Sequence, residues 1–180
     1  MNEPKSFIMT VNAGQIPNDN WVQDSEVGGG RIIGEACHFI DLLKFLVGQP
    51  VVDVKALSID NSGDNINEDK VSFTMTFADG SIGTVHYMAN GHRAFPKERL
   101  EIFCGGRILA LNNFKKLNGY GWPGFKTMKI IKQDKGHQNE IASYIKAIHS
   151  GGPAPIPFIE ICEVTKVSFE VARQATGKEF

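Results

Sequence analysis

Glu35, His38 and Asp41 lie three residues apart within an otherwise apolar run, Arg31 to Val47, so on a helix they share one face. Burying any of them unpaired would cost several kcal/mol, so they either pair with one another or line an opening. An imidazole beside a carboxylate donates and accepts protons near neutral pH, because the carboxylate favours the charged ring. Asp41 would also select the ring nitrogen that carries the proton. A core histidine satisfied by its carboxylate is the alternative reading. A metal site is disfavoured, since one straight helix does not converge three ligands at this spacing and no H-E-x-x-H pattern is present.

The run opens on Gly28-Gly29-Gly30 with Gly34 further on, which invites a dinucleotide reading. The context is wrong for a complete site, because residues 19–27 are too polar for the central strand that should precede such a motif. The glycines serve either a tight entry that brings backbone against sheet or ligand, or first-turn N–H groups at Gly29 and Gly30 aimed at an anion, with Arg31 reinforcing. Spacing alone leaves both open. His86 and His92, with Arg93 and Lys97 nearby, could bind an anion or acidic sugar, or be solvated loop charges. Trp21 and Trp122 could stack on a sugar or anchor their loops. No G-x-S-x-G elbow is present, and no cysteine has a base placed near it, so hydrolase chemistry has nothing to rest on.

These residues need elements to hold them. Residues 5–11 read as a strand that opens into a polar loop, Asn12 to Val27, whose length marks a site loop and whose Pro17 and Trp21 suggest order. One helix covers Arg31 to Val47, closed by Gly48 and Pro50, and its nearly all-round apolar character predicts a largely buried helix. A strand over Val51 to Ile59 and a polar turn region 60–69 follow. Val71 to Phe77 alternates, and Asp79-Gly80 predicts a type I′ hairpin to a strand over Ser81 to Met88. Gly105-Gly106 separates strands Arg99 to Cys104 and Arg107 to Leu111. Asn112 to Lys126 reads as a loop, and Met128 to Ile131 as a strand. Helices are predicted over Gln138 to His149 and Ile159 to Ala175. Six or seven hairpin-joined strands with segregated helices make an α+β domain, a large, mostly antiparallel (mixed) sheet with helices on one face. The apolar row Val71, Phe73, Met75 and Phe77 is expected on the far face, where a second copy would cover it in a homo-dimer or tetramer.

The chain has 180 residues with 42% hydrophobic and 22% charged residues, which suits one core and excludes a disordered chain. Nineteen Lys and Arg against twenty Asp and Glu give a formal charge of −1, with no basic block to track nucleic acid. No apolar run reaches membrane-spanning length and no signal peptide is visible. Cys37, Cys104 and Cys162 are odd in number and outside any CxxC spacing, so a reduced, cytoplasmic setting is expected.

Gly28-Gly29-Gly30 followed by His38-Phe39-Ile40-Asp41-Leu42-Leu43 and Gly48 resembles the signature that opens the C-terminal domain of the glucose-fructose oxidoreductase and inositol dehydrogenase (Gfo/Idh/MocA) family. Trp21 and Asp24 stand where the family's substrate loop carries W-x-x-D. Asp79-Gly80 resembles its central hairpin, and Glu140, residues 148–152 and residues 163–177 its closing helices. The resemblance implies that residues 1–180 are a single substrate-binding and oligomerisation domain whose Rossmann domain, with NAD or NADP and the lysine of an E-K-P motif, lies outside this chain. It implies a sugar, nucleotide-sugar or cyclitol substrate, with His38 exchanging a proton with its hydroxyl during hydride transfer, and no turnover by the fragment alone. The residues expected around that substrate are Asn12, Trp21, Asp24, Arg31, His92 and Arg93, with Gly29 and Gly30 toward the cofactor and Glu35 and Asp41 beside His38. One departure matters: the family's Asp four residues before the histidine is here Gly34, and Glu35 one place later is rotated about 100° in an α-helix. A stand-alone binding or scaffold protein with this fold, and a nicotinamide-independent hydrolase or isomerase, are the alternatives.

Overall fold

Strict alternation from Val71 to Phe77 puts four apolar side chains on one face of the sheet, and each is buried to 1% exposure or less. The computed structural model describes residues 3–17, 19–24, 27–59 and 69–177; of the polar turn region 60–69 only Asp69 is among them. Within these residues eight strands form one sheet: β1 Ser6–Asn12, β2 Val51–Ser58, β3 Lys70–Phe77, β4 Ile82–Met88, β5 Glu98–Cys104, β6 Arg107–Asn112, β7 Lys116–Tyr120 and β8 Thr127–Lys129. Their order is β2-β3-β4-β1-β5-β6-β7-β8. β1 runs parallel to β4, and all other neighbours are antiparallel. The architecture is the expected α+β one.

The helices are α1 Cys37–Val47, α2 His137–Ser150 and α3 Phe158–Thr176. α1 lies so close to the sheet at Gly83 that a β-carbon there would come within 2.6 Å of Leu43 Cδ2. The row Val71, Phe73, Met75 and Phe77 joins Phe7, Met9, Val85, Tyr87, Ile40 and Leu43 in one buried cluster. This corrects the expected direction of that row: the chain's own helices cover it, so these four residues are not a surface for a second copy. The opposite face carries polar ladders instead, with Ser72 Oγ 2.9 Å from His86 Nδ1 and Thr74 Oγ1 2.9 Å from Thr84 Oγ1.

α3 closes the β2 edge. Gln174 accepts from Ala56 N–H at 2.8 Å and donates to the Val54 carbonyl at 3.0 Å, and Glu163 accepts from Val51 N–H at 2.7 Å, which satisfies edge groups that would otherwise recruit another strand. Lys44, buried on α1, reaches Glu163 at 3.5 Å and Glu160 at 3.7 Å and ties the two helices together. α1 itself is less buried than its composition suggested. Ile40, Leu43, Lys44 and Val47 face inward, while Phe45 is 77% exposed, because only one flank of the helix meets sheet. α2 forms where helical spacing predicted it but buries none of its residues. Its stripe Ile141, Ile145 and Ile148 is exposed. No helix among the described residues is long and apolar enough to cross a membrane.

Two local expectations are corrected. Asp79-Gly80 does turn β3 into β4, but only Gly80 takes a positive φ, 82°. Its N–H bonds the Phe77 carbonyl at 2.9 Å, and Phe77 N–H bonds the Ser81 carbonyl. The loop is therefore a three-residue one rather than type I′. Gly105 and Gly106, at φ 54° and 71°, make the two-residue primed turn. Within the stretch read as a loop lies β7, which has no alternation. Its partners β6 and β8 hold it as a strand, and Gly119 leaves room for Phe125, whose ring a β-carbon would meet at 2.5 Å.

Candidate functional site

The entry to α1 is not a simple α-helical turn. Residues Ile32–Ala36 form a π turn in which Cys37 N–H reaches the Ile32 carbonyl, five residues back, a geometry that recurs at functional sites. The three-residue spacing of Glu35, His38 and Asp41 thus crosses a change of helical pitch. All three line one cavity of about 470 Å³. His38 is exposed, so it is not a satisfied core histidine, and no hydrogen bond joins the three to one another among the described residues.

Glu35 is fixed by its neighbours. Arg31, 3% exposed, donates through Nε at 2.9 Å and Nη2 at 2.7 Å to Glu35 Oε2. The Tyr87 hydroxyl donates to the same oxygen. Three donors converge on Oε2, which leaves Oε1 to accept from a ligand. Burial pushes the Glu35 carboxyl up, but the Tyr87 and Arg31 hydrogen bonds and the Arg31 charge outweigh it and hold it below its ordinary 4.5. Glu35 is therefore an ionised acceptor. Burial, followed by the bond to Glu35, pushes the Tyr87 hydroxyl far up. Asp41 is also raised, by burial first and then by Glu160, against the pull of His38 and Lys44.

Arg31 itself faces inward. Its Nη1 donates to the Gly14 carbonyl at 2.7 Å and lies 3.9 Å from Asp69 Oδ2, and its guanidinium stacks 5.4 Å from the Tyr87 ring centroid. The residue expected to face substrate instead welds loop 13–14 to the π turn. Sequence reasoning missed three further cavity residues. Tyr87 follows from the β4 alternation, since a buried phenol needs a partner. Glu98, 3% exposed, accepts from Lys135 Nζ at 2.6 Å, while its buried Oε2 has no hydrogen-bond partner. Lys135, which also stacks over Phe114 at 5.6 Å, had no sequence signal beyond its charge. Phe39, Leu42 and Phe45 give the cavity an apolar side alongside its carboxylates.

The other expected residues are distributed elsewhere. Asn12 and Arg93 line a neighbouring groove that shares Lys97 with the cavity. His92 Nδ1 accepts from Ala94 N–H at 3.2 Å within the loop that carries Arg93. Trp21, 66% exposed, opens the turn Trp21–Gln23, Asp24 caps it, and they line neither. Gly29 and Gly30, at φ 69° and 82°, also lie off the cavity lining. The N–H groups of Gly28 and Gly29 donate to the Asp24 carbonyl, so the glycine turn is packed on its own loop. Without a preceding strand and with Gly29 N–H engaged, the described residues do not fit a dinucleotide. Among them no group of three His, Cys, Asp or Glu is arranged to hold a metal.

Gly28 shows how tight this entry is. A β-carbon there would fall 2.4 Å from the Trp21 carbonyl oxygen and 2.6 Å from Val22 Cα, backbone atoms that cannot step aside. Gly28→Ala should therefore cost about 1–3 kcal/mol in urea unfolding, as overpacking does. A variant as stable as the wild type would show that loop 21–24 moves freely.

No curated protein matches the chain. Solved structures do. Levoglucosan dehydrogenase in complex with NADH and levoglucosan aligns with a TM-score of 0.79 at 21% identity, covering 97% of this chain and 57% of that one. Aldose-aldose oxidoreductase from Caulobacter crescentus, complexed with glycerol, gives 0.77 at 12%, covering 98% and 54%. UDP-N-acetylglucosamine 3-dehydrogenase GnnA from Acidithiobacillus ferrooxidans gives 0.75 at 18%, covering 97% and 54%. The likeness is one of fold, and this chain spans a little over half the length of each. The GFO/IDH/MocA C-terminal domain model matches residues 3–107, more than half of the sequence, and with the sheet order and the His38 helix just described it places the chain in the Gfo/Idh/MocA C-terminal domain family.

Proposed function

We propose that this domain holds the substrate of a nicotinamide-dependent oxidoreductase acting on a sugar, nucleotide sugar or cyclitol, with His38 exchanging the proton of the reacting hydroxyl. The observation that carries the reading is an exposed imidazole on the wall of a cavity whose Glu35 is locked as an acceptor from behind. Family membership and the fold of three sugar-acting oxidoreductases support it. NAD or NADP would supply the hydride chemistry, held by a nicotinamide-binding domain outside this chain. This chain's part is to seat the polyol, keep one oxygen of Glu35 free for a neighbouring hydroxyl, and give His38 solvent access to pass its proton on. The exposed stripe Ile141, Ile145 and Ile148 on α2 is a surface that such a domain would cover.

The test is turnover by the protein that joins this domain to its nicotinamide-binding half. With NAD and NADP and a panel of sugars, nucleotide sugars and cyclitols, reduced-nicotinamide absorbance should rise for at least one polyol. The isolated 180-residue chain should show none. Turnover by the isolated chain without nicotinamide would overturn the reading, as would a complete protein that oxidises no polyol with either cofactor.

A further inference from the structure

A second groove opens beside the His38 cavity and shares Lys97 with it. Its charge is one-sided. Arg93, Lys97 and Lys116 line it with the amides of Asn12, Asn112 and Asn113, and no carboxylate lines it. The His38 cavity next door is lined by Glu35, Asp41, Glu98 and Glu140. None of the three cations is in an ion pair with a described carboxylate, although Lys44, Lys135 and Arg173 all are.

The groove is also preformed. Asn12, the last residue of β1, donates through Nδ2 to the carbonyls of His92 at 2.9 Å and Phe95 at 3.2 Å. Asn12 N–H holds the Lys97 carbonyl at 2.7 Å. These three bonds seat the loop that presents Arg93 and Lys97. Gly91 packs on the same amide so closely that a β-carbon would overlap Asn12 Oδ1 at 2.0 Å. On the opposite wall Asn113 and Phe114 take positive φ values of 51° and 50°, a strained turn that brings Asn112, Asn113 and Lys116 round to face the loop.

We propose that this groove binds the phosphoryl group of a phosphorylated sugar whose ring occupies the His38 cavity. The inference rests on the proposed function for the seating of the ring and adds the class of substrate. Three cations, with the amides of Asn112 and Asn113 beside them, match the charge and the several acceptor oxygens of a phosphate ester or diphosphate, while Asn12 spends its amide hydrogens on holding the loop. The groove, about 810 Å³, is larger than a single carboxylate needs. Lys97 at the junction would touch both halves of the ligand.

Isothermal titration of the chain with glucose, glucuronate, glucose 1-phosphate and UDP-glucose tests this. At least one phosphorylated sugar should bind tenfold or more tightly than glucose and glucuronate, the gain should shrink with added salt, and inorganic pyrophosphate should compete. In Arg93→Ala/Lys116→Ala, exposed positions whose substitution should leave the circular dichroism spectrum unchanged, the ratio of phosphorylated-sugar to glucose affinity should fall toward one. Preference for glucose 1-phosphate alone assigns a sugar phosphate, and preference for UDP-glucose a diphosphate. Equal binding of all four, glucuronate binding as tightly as the phosphorylated sugars, or a double variant that keeps the preference would overturn the inference and leave the sugar reading standing. Pyrophosphate binding that both substitutions abolish, with no sugar binding, would remove the sugar reading and keep the anion groove. Absence of any binding would remove both.

Discussion

Replacing His38 by asparagine should lower turnover of the proposed oxidoreductase by about 10²–10⁴-fold, the range that a positioned acid–base group contributes. Asparagine keeps a polar side chain but cannot take up a proton. Because His38 is exposed and no hydrogen bond joins it to Glu35 or Asp41, the change should leave stability within about 0.5 kcal/mol. Substrate affinity and cofactor affinity should move far less than kcat, since the ring is assigned to the proton and not to the seat of the sugar. Steady-state kinetics with a melting curve on the same preparation separates the outcomes. A variant that keeps more than a tenth of the wild-type kcat removes the proton-transfer role, and one whose loss follows its unfolding makes His38 structural.

Arg31→Ala should unfold the domain more readily than any single exposed substitution, by about 3–5 kcal/mol, because it removes one partner from a buried charge network. Asp69, 4% exposed, would be left without the guanidinium 3.9 Å away, and the Gly14 carbonyl would lose its donor. The half-exposed Glu35 contributes less to this cost, since solvent screens it. Arg31→Lys keeps the charge without the fork and should recover only part of the stability.

The same variant changes the acid limb. The folded-state pKa of Glu35 is depressed, so its contribution is present above the ordinary carboxyl value of 4.5 and is lost as pH falls below that toward the folded value. Asp41 is raised and works with the opposite sign, favouring the fold as pH falls. Subtracting the Arg31→Ala stability curve from the wild-type curve cancels Asp41 and leaves the part that depends on the carboxylates Arg31 pairs with, Glu35 and Asp69. That difference should shrink as pH drops below about 4.5. A difference that stays flat from pH 7 to pH 3 would mean that Arg31 does not hold the Glu35 charge.

Much of this was legible in the chain. Alternation gave away β3 and β4, Gly-Gly gave the β5–β6 turn, and Gly48 and Gly151 closed α1 and α2 at φ 73° and 62°. These are local signals, in which a side chain's preference and its neighbours' spacing suffice. The stripe Glu35, His38 and Asp41 was legible for the same reason, since ionisable residues in an apolar helix need an opening or a partner. β7 was not, because its residues have no strand preference and only the ladders on either side impose one. The inward packing of Arg31 was not legible for a related reason: whether a guanidinium meets solvent or Gly14 and Asp69 depends on segments 17 and 38 residues away.

The order of amino acids by itself determined the class of fold, the helix that carries the imidazole and the family, because those rest on periodicity and on short motifs. The tertiary structure alone decided which side of the sheet is covered, that three donors lock one oxygen of Glu35, and that Arg93, Lys97 and Lys116 share a groove. Each of these depends on the meeting of strands and loops distant in sequence, and side-chain burial there is set by the partner that arrives rather than by the residue itself.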